Sequence, residues 1–238
     1  MLPIGDDNSD RLRWPVVTAI LIGVNVVAFL YELSLGSHGV SLARFVEQWG
    51  VVPLEYHLGG DLPPRIPLPW FTTLVTAMFL HGGWGHLGGN MLYLWIFGDN
   101  VEDRLGRVPF LLFYLAAGML GSLVQILAAP ESQVPVIGAS GAISGVLGAY
   151  IVMFPRKRVR VLLFLFVFEV PALLVLGLWA LTQVVSGTGT LGGGAEEGGV
   201  AYLAHVGGFA AGVAGALLWR AIAPPPPPSA GLPWDGRY

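Results

Sequence analysis

The sequence contains no cysteine, which excludes disulfide bonds, thiol nucleophiles and metal sites built on thiolates. Charged residues are also scarce. They make up 11% of the 238 residues, whereas a soluble domain carries about 25%. Apolar residues reach 54%, and the formal net charge of −3 gives no indication of a nucleic-acid partner. The composition therefore predicts a membrane protein.

Six apolar stretches predict membrane-spanning helices. Helix four has only about fifteen residues, or roughly 22 Å at 1.5 Å per residue, so it is shorter than the hydrocarbon core. Ser140 at its start is therefore predicted to lie below the membrane surface. The sequence predicts an all-α polytopic membrane protein, a six-helix bundle with a short central helix four. The predicted bounds are about Trp14 to Tyr31, about Gly83 to Val101, Val108 to about Ala128, Ser140 to about Phe154, a fifth helix within Val161 to Val185, and about Val200 to Trp219.

The connecting segments are predicted to differ in character. Residues 34–69 carry five charges and a cluster of four prolines at 63–69, but Leu42, Phe45, Val46 and Trp49 recur with helical spacing. This predicts an amphipathic helix within a long, membrane-associated first loop. Residues 66–98 carry no charge and are too long for one span, so the part before helix two is predicted to be partly embedded. Residues 186–199 are predicted to be a flexible loop.

The basic residues indicate the topology. Six spans put both termini on one side, and ten of the twelve Lys and Arg residues fall there, with only Arg44 and Arg65 opposite. The positive-inside rule then places both termini in the cytoplasm and the Ser140 end of helix four outside. We expect a cytoplasmic segment over residues 1–13, a six-span domain over 14–220 and a Pro-rich cytoplasmic tail over 221–238. With no further span before the six, the expected location is a bacterial plasma membrane.

Several polar side chains are predicted to lie at one depth, near the outer third of the bilayer. His86 and Asn90 are four residues apart on helix two, Ser140 begins helix four, and His205 lies near the outer end of helix six. His81 precedes helix two at the same level. A helix N-terminus carries unpaired N–H groups and the positive end of the helix dipole. A serine there is suited to be a nucleophile and to form part of its own oxyanion hole.

These residues also have structural interpretations. Gly-x-Ser-Gly in an apolar helix is typical of close packing between small residues. Ser140, Ser144 and Gly148 form such a stripe on helix four, and Gly208 and Gly212 form another on helix six. Packing and catalysis are compatible here, because close helices would bring Ser140 to the histidine on helix six.

A metal site is the weaker alternative for the histidines. His81, His86 and His205 are potential zinc ligands, but no carboxylate or cysteine lies near them in the sequence. The sequence therefore predicts neither a metal nor a cofactor. Glu169 is predicted to lie near the cytoplasmic start of helix five, either buried with a partner or reaching the interface.

Three motifs resemble those of the rhomboid intramembrane serine proteases. They occur in the same order along the chain, and the resemblance extends over all six predicted spans. A fourth segment, Gly98 to Gly106, resembles the acidic and basic turn that follows helix two in that family, and we interpret it as structural. The three motifs are His81-Gly-Gly-Trp-Gly-His86-Leu-Gly-Gly-Asn90, Gly138-Ala139-Ser140-Gly141 and Ala204-His205-Val-Gly-Gly208.

The resemblance implies a Ser140–His205 catalytic dyad without an acid, which cleaves single-span membrane proteins within or near their transmembrane segment through an acyl-enzyme. It implies an oxyanion hole formed by His86, Asn90 and the backbone N–H of Ser140. It also implies that helix five and the loop from residue 186 form a substrate gate. The expected partners are transmembrane substrates and the lipid bilayer. The supporting residues are His81, Gly138, Gly141, Ser144 and Gly208.

One position departs from the family pattern. Many relatives have an aromatic residue four positions after the serine, and here that position is Ser144. Three arrangements remain open: another group such as Tyr202 orients His205, Ser144 hydrogen-bonds to it, or the dyad is looser. Two other functions also remain as alternatives, a non-proteolytic rhomboid-like protein that binds transmembrane clients and, less favoured, a channel or transporter.

Overall fold

The computed structural model describes residues 2–37, 41–191 and 201–223. Most of these residues are helical, and a small sheet lies at one end of the helices. Short 3-10 turns at Trp70–Thr72 and Ala77–Phe79 flank the shortest helix. The strands are β1 (Leu2–Asp6), β2 (Arg158–Leu163) and β3 (Phe166–Pro171), and the helices are α1 (Val16–Ser37), α2 (Leu42–Trp49), α3 (Pro53–Leu58), α4 (Thr73–Thr76), α5 (Trp84–Leu105), α6 (Arg107–Ala128), α7 (Ser140–Met153), α8 (Ala172–Leu191) and α9 (Tyr202–Ile222).

The chain is a multi-pass membrane protein. Four of the described helices are long and apolar enough to cross a bilayer, namely α1, α6, α8 and α9. The 14 residues of α7 are apolar but short, as expected, and the second half of α5 carries Asp99, Glu102, Asp103 and Arg104. The count of six spans therefore stays a prediction. The amphipathic helix expected over Leu42 to Trp49 is confirmed as α2, which Ser41 caps by accepting a hydrogen bond from the Arg44 amide.

The core is built around α7. Every residue from Gly141 to Tyr150 is buried, and α7 packs against α5, α6 and α9. The close approach predicted from the glycine stripes is confirmed. A Cβ added to Gly208 would collide with the carbonyl oxygen of Gly141, and one added to Gly212 would collide with that of Gly145. Glycine is needed at both positions of α9 because backbone of α7 fills the space.

The predicted helix five is wrong in its first part. Residues 158–171 form an antiparallel β2–β3 hairpin, and α8 begins at Ala172. The alternation Arg158-Val-Arg-Val has the period of a strand, and Val159 and Val161 are buried while both arginines are exposed. Glu169 accordingly lies exposed on β3 and not in a helix.

The N-terminal segment adds a strand, and the loop from residue 186 differs from expectation. Part of residues 1–13 is ordered, because β1 pairs antiparallel with β2 to complete a sheet of order β1-β2-β3. The predicted flexible loop from residue 186 is helical as far as Leu191, where α8 ends. The remainder of that loop (192–199) and the Pro-rich segment from residue 224 lie outside the described residues.

A polar cluster joins the sheet to the helices at the end of the bundle opposite Ser140. The Glu102 carboxylate accepts the N–H groups of Val17 at 2.9 Å and Thr18 at 2.7 Å, so it caps the start of α1. Asp6 accepts the Tyr150 hydroxyl at 2.6 Å and the Asn100 amide at 2.8 Å. Burial raises the pKa of Asp6 to about 7, against the lowering effect of the Tyr150 hydrogen bond. Residues 98–105 are the end of α5 and not a turn after it, and their structural interpretation agrees with these contacts.

Candidate active site

A cavity of about 630 Å³ lies beside the N-terminus of α7. Its lining includes side chains from α5, α7, α8 and α9, together with the loop residues that precede α7. Ser140, His205, His86 and Asn90 all line it. The structure thus brings together the four side chains that the sequence places at one depth, although they come from three separate helices.

Ser140 and His205 are in hydrogen-bonding contact. The Ser140 Oγ and the His205 Nε2 are 2.7 Å apart. Ser140 is the first residue of α7, and His205 is the fourth residue of α9. The contact depends on the glycines described above, because Gly208, one turn after His205, lies directly against the backbone of Gly141. The small residues therefore act as the means by which the serine reaches the histidine.

The second ring nitrogen of His205 contacts a residue on α8. The Gln183 Oε1 lies 2.8 Å from the His205 Nδ1. An amide oxygen can only accept, so this orientation of the Gln183 amide pairs with the tautomer that has the proton on Nδ1 and the Nε2 lone pair towards the Ser140 hydroxyl. This is the tautomer that a general base requires. The Trp179 and Tyr202 rings lie beside the imidazole, with centroids 6.1 Å and 6.4 Å away.

His86 and Asn90 lie next to the turn that precedes Ser140. Gly138 has a φ of +115°, and a Cβ there would lie 2.7 Å from the His86 ring and 3.7 Å from the Asn90 Nδ2. Glycine is required at 138 for its backbone conformation and for space. The Gly82 amide donates to the His86 Nδ1 at 3.4 Å, which leaves the His86 Nε2–H as a donor.

Asn90 has an unusual hydrogen-bond status. It is 8% exposed, and within the described part of the chain its buried Nδ2 has no hydrogen-bond partner. A buried donor without an acceptor is costly, and such groups recur where a ligand or transition state supplies the acceptor. Together with the His86 Nε2–H and the backbone N–H groups at the start of α7, it forms a set of donors that can bind a negatively charged oxygen.

Two of the expected supporting residues make their contacts away from the side chains of the dyad. Ser144 is buried and its hydroxyl donates to the Ser140 carbonyl at 2.6 Å, so it does not bond to His205. His81 lies behind His86, with ring centroids 5.1 Å apart, and is not among the residues that line the cavity. Its backbone N–H donates to the buried carboxylate of Glu32 on α1, at 3.2 Å and 3.3 Å to the two oxygens.

The part of the chain that carries these side chains matches a known family. Residues 69–221 match the family model of the Rhomboid domain, which is well over half of the sequence. The chain belongs to the rhomboid family. The matched region begins before α4 and ends within α9, so α1 and β1 lie outside it.

Relatives of this rhomboid chain occur in bacteria and in organelles. It is 31% identical over 198 residues to Rhomboid protein 1, mitochondrial, of Saccharomyces cerevisiae, covering 81% of this chain and 50% of the relative. It is 32% identical over 158 residues to Rhomboid-like protein 11, chloroplastic, of Arabidopsis thaliana, covering 63% of this chain and 52% of the relative. Rhomboid protease GluP of Bacillus subtilis is 46% identical over 86 residues, covering 35% of this chain and 16% of the relative. The chain thus spans about half the length of the first two.

Gln183 was missed by the sequence interpretation of this rhomboid. Trp179 and Gln183 are four residues apart on one span, so they share a face, and a glutamine in a membrane helix needs a partner. The sequence therefore indicates that Gln183 has a partner. It does not indicate that the partner is His205, because the contact depends on how α8 is rotated against α9.

Proposed function

We propose that this rhomboid is an intramembrane serine endopeptidase that cleaves single-span membrane proteins within or near their transmembrane segment. The observation that carries the proposal is the 2.7 Å contact between the Ser140 Oγ and the His205 Nε2, inside a cavity that His86 and Asn90 also line. Membership of a family that includes a named rhomboid protease supports it.

In the first step Ser140 is the nucleophile and His205 the general base. The Ser140 Oγ attacks the scissile carbonyl carbon while its proton passes to the His205 Nε2. The carbonyl oxygen becomes negatively charged in the tetrahedral intermediate. The His86 Nε2–H, the Asn90 Nδ2–H and the backbone N–H of Ser140 bind that oxygen, and the helix dipole of α7 favours the same charge. The role of Asn90 accounts for its unpartnered amide.

In the second step the intermediate collapses. The His205 Nε2–H protonates the leaving amine, the C–N bond breaks and Ser140 is left as an acyl-enzyme. A water molecule then gives a proton to His205 and attacks the ester carbon, which regenerates the Ser140 hydroxyl and releases the new carboxylate. No cofactor enters either step. Among the described residues that line the cavity there is no Asp or Glu, so the proposed base is a dyad and not a Ser-His-Asp triad.

We propose further that both termini are cytoplasmic and that the cavity opens to the extracytoplasmic side of a plasma membrane. The distribution of Arg and Lys supports this orientation, with Arg44 and Arg65 on the side of the site. The proposed substrates would reach Ser140 from the bilayer, past α8.

The test is cleavage of an epitope-tagged single-span reporter reconstituted with the purified protein, together with labelling by a serine-reactive fluorophosphonate probe. We expect wild type to cut and to label, and Ser140→Ala and His205→Ala to do neither. Ser132→Ala, a serine outside the cavity, is the matched control and should behave as wild type. Labelling without cleavage would mean that the reporter is not a substrate. Folded wild type with neither signal would refute the protease proposal and favour a client-binding role.

A further inference from the structure

We propose that Gln183 is a positioning residue that holds His205 as the Nδ1–H tautomer, so the dyad is competent only while α8 lies against α9. This inference deepens the proposed function and rests on it for its catalytic consequence. The tautomer itself can be measured whether or not the protein is a protease.

The amide of Gln183 is oriented by contacts at both ends. Its Oε1 accepts from the His205 Nδ1 at 2.8 Å, and its Nε2 lies 3.1 Å from the Thr182 Oγ1 and 3.4 Å from the Trp179 carbonyl oxygen. If the amide were flipped, its NH₂ would face Nδ1 and force the proton to Nε2. That tautomer would present an N–H to Ser140 and could not accept its proton.

Other residues near His205 do not supply this hydrogen bond. The Ser144 hydroxyl donates to the Ser140 carbonyl, and Tyr202 contacts the imidazole through its ring in a T-shaped arrangement. Within the described residues, Gln183 is the hydrogen-bond partner of the His205 Nδ1. It therefore occupies the place that a carboxylate fills in a Ser-His-Asp triad, but without a charge. A neutral acceptor selects the tautomer and does not require burial of an ion in the membrane.

The position of α8 makes this contact conditional. Only 17% of its most apolar stretch is buried, compared with 44% for α6, so α8 lies at the periphery of the helices. Trp179 and Gln183 both contact His205 from α8. If α8 moves outward to admit a substrate, both contacts are lost together and the imidazole can rotate or change tautomer. We infer that His205 is returned to its working tautomer when α8 closes.

The primary test compares Gln183→Leu and Gln183→Glu with the control Thr188→Val. The control replaces a hydroxyl with a methyl group on the same helix, away from His205. Fluorophosphonate labelling of Ser140 is followed against pH. We expect Gln183→Leu to slow labelling on the order of tenfold or more, because the Nδ1 proton loses its acceptor. Gln183→Glu should retain labelling but shift its acidic limb to higher pH, because a nearby anion favours the imidazolium. Thr188→Val should match wild type.

A second readout does not depend on activity. In ¹⁵N-histidine NMR spectra, wild-type His205 should show the Nδ1–H tautomer, and Gln183→Leu should show a mixture or the other tautomer. Gln183→Leu that labels within twofold of wild type and keeps its tautomer would overturn the proposal. An unshifted pH profile in Gln183→Glu would also overturn the proposal. If Gln183→Leu does not fold, the pH profile of Gln183→Glu is the deciding measurement. If wild type shows the tautomer but Ser140 never labels, only the protease proposal fails.

The β2–β3 hairpin carries a second inference from a different observation. Its turn and the adjoining strand ends expose six consecutive apolar residues (163–168), of which Phe164 is 87%, Leu165 91% and Phe166 69% exposed. Isolated exposed apolar residues are ordinary, but a continuous run marks an interaction surface. Arg156 and Arg158 are exposed at its base, whereas Arg160 lies opposite Glu169 across the hairpin. We infer that the turn inserts into the bilayer interface and that the basic base of the hairpin binds anionic lipid headgroups.

The absence of cysteine makes this inference testable with one label. Leu165→Cys carrying an environment-sensitive fluorophore is reconstituted in neutral and in anionic vesicles that contain nitroxide-labelled lipid. The control is Leu12→Cys, an 83% exposed position of the N-terminal segment. We expect the emission of the label at 165 to be blue-shifted and quenched by the nitroxide lipid, more strongly in anionic than in neutral vesicles. The double substitution Arg156→Gln and Arg158→Gln should remove the difference between the two kinds of vesicle. A label at 165 as water-exposed as the one at 12 would overturn the inference.

Discussion

The two ends of the helical bundle are stabilised by opposite means. At the sheet end, buried carboxylates have polar partners, as when Glu102 caps α1 and Asp99 accepts from Arg11 at 2.6 Å. At the Ser140 end the residues that line the cavity include no Asp, Glu, Lys or Arg, and the buried donor on Asn90 has no partner among the described residues. Satisfied polar groups stabilise a fold, whereas unsatisfied and preorganised ones are available to a reacting molecule. The comparison predicts that substitutions at the two ends separate stability from reactivity.

The largest effect is expected at the contact between α7 and α9, because it supports both the stability of the fold and the position of Ser140 against His205. Gly208→Val places a branched side chain against the Gly141 carbonyl, so α9 must move away from α7. Overpacking of this kind lowers the free energy of unfolding by about 1–3 kcal/mol. A displacement of about 1 Å between Ser140 and His205 is enough to slow the reaction by about a hundredfold. We expect fluorophosphonate labelling to be abolished and the melting temperature to fall. Gly177→Val has open space around it and should retain labelling.

Asn90→Ala should affect reactivity with little cost in stability. Its Nδ2 has no partner in the described structure, so removing it leaves no protein acceptor unpaired. If Asn90 binds the developing oxyanion, reporter cleavage should fall by about a hundredfold or more. Thermal unfolding in detergent should be unchanged or slightly raised. A variant that loses stability and keeps its cleavage rate would contradict the proposed role.

Glu102→Gln should give the reverse result at the sheet end. The carboxylate accepts two backbone N–H groups and the Thr18 hydroxyl, and an amide can match only part of this set. We expect the free energy of unfolding to fall by about 1–3 kcal/mol, while labelling of the folded protein stays within a few-fold of wild type. Glu131→Gln, at an exposed site, is the control for the change of charge. A loss of labelling greater than the loss of folded protein would show that the ends are coupled.

The smallest effect is expected from pH at β1. The pKa of Asp6 is raised from 3.8 to about 7 by burial, so the folded protein binds its proton more tightly than the unfolded chain. Docking of β1 is therefore strongest below pH 4 and weakens as pH rises through 7. Hydrogen exchange of residues 2–6 should be faster at pH 8 than at pH 5 beyond the intrinsic rate, within about tenfold. Asp6→Asn should remove this difference. An equal pH response in that variant would rule out Asp6 as its source.

Much of the helical framework could be predicted because its signals are local. The amphipathic spacing of residues 42–49 gave the bounds of α2, and the apolar run from Val108 ended at Ala128, as α6 does. The hairpin was missed because Val161 to Phe168 is an unbroken apolar run, so a hydropathy window does not separate a strand from a span. One of the two partners of β2 is β1, more than 150 residues away, and the short alternation at the start of β2 does not indicate which distant segment pairs with it.

The sequence by itself determined that the chain crosses a membrane, that a short apolar helix begins at Ser140, and that glycines on two helices allow close contact. Each of these follows from composition and from the spacing of residues within one element. Only the tertiary structure decided that Gln183 faces His205, that Ser144 bonds to a carbonyl, and that Asp6 is buried beneath Tyr150. The physical reason is that such contacts depend on the rotation and register of one element against another. Packing sets both, and neighbouring residues in the chain do not.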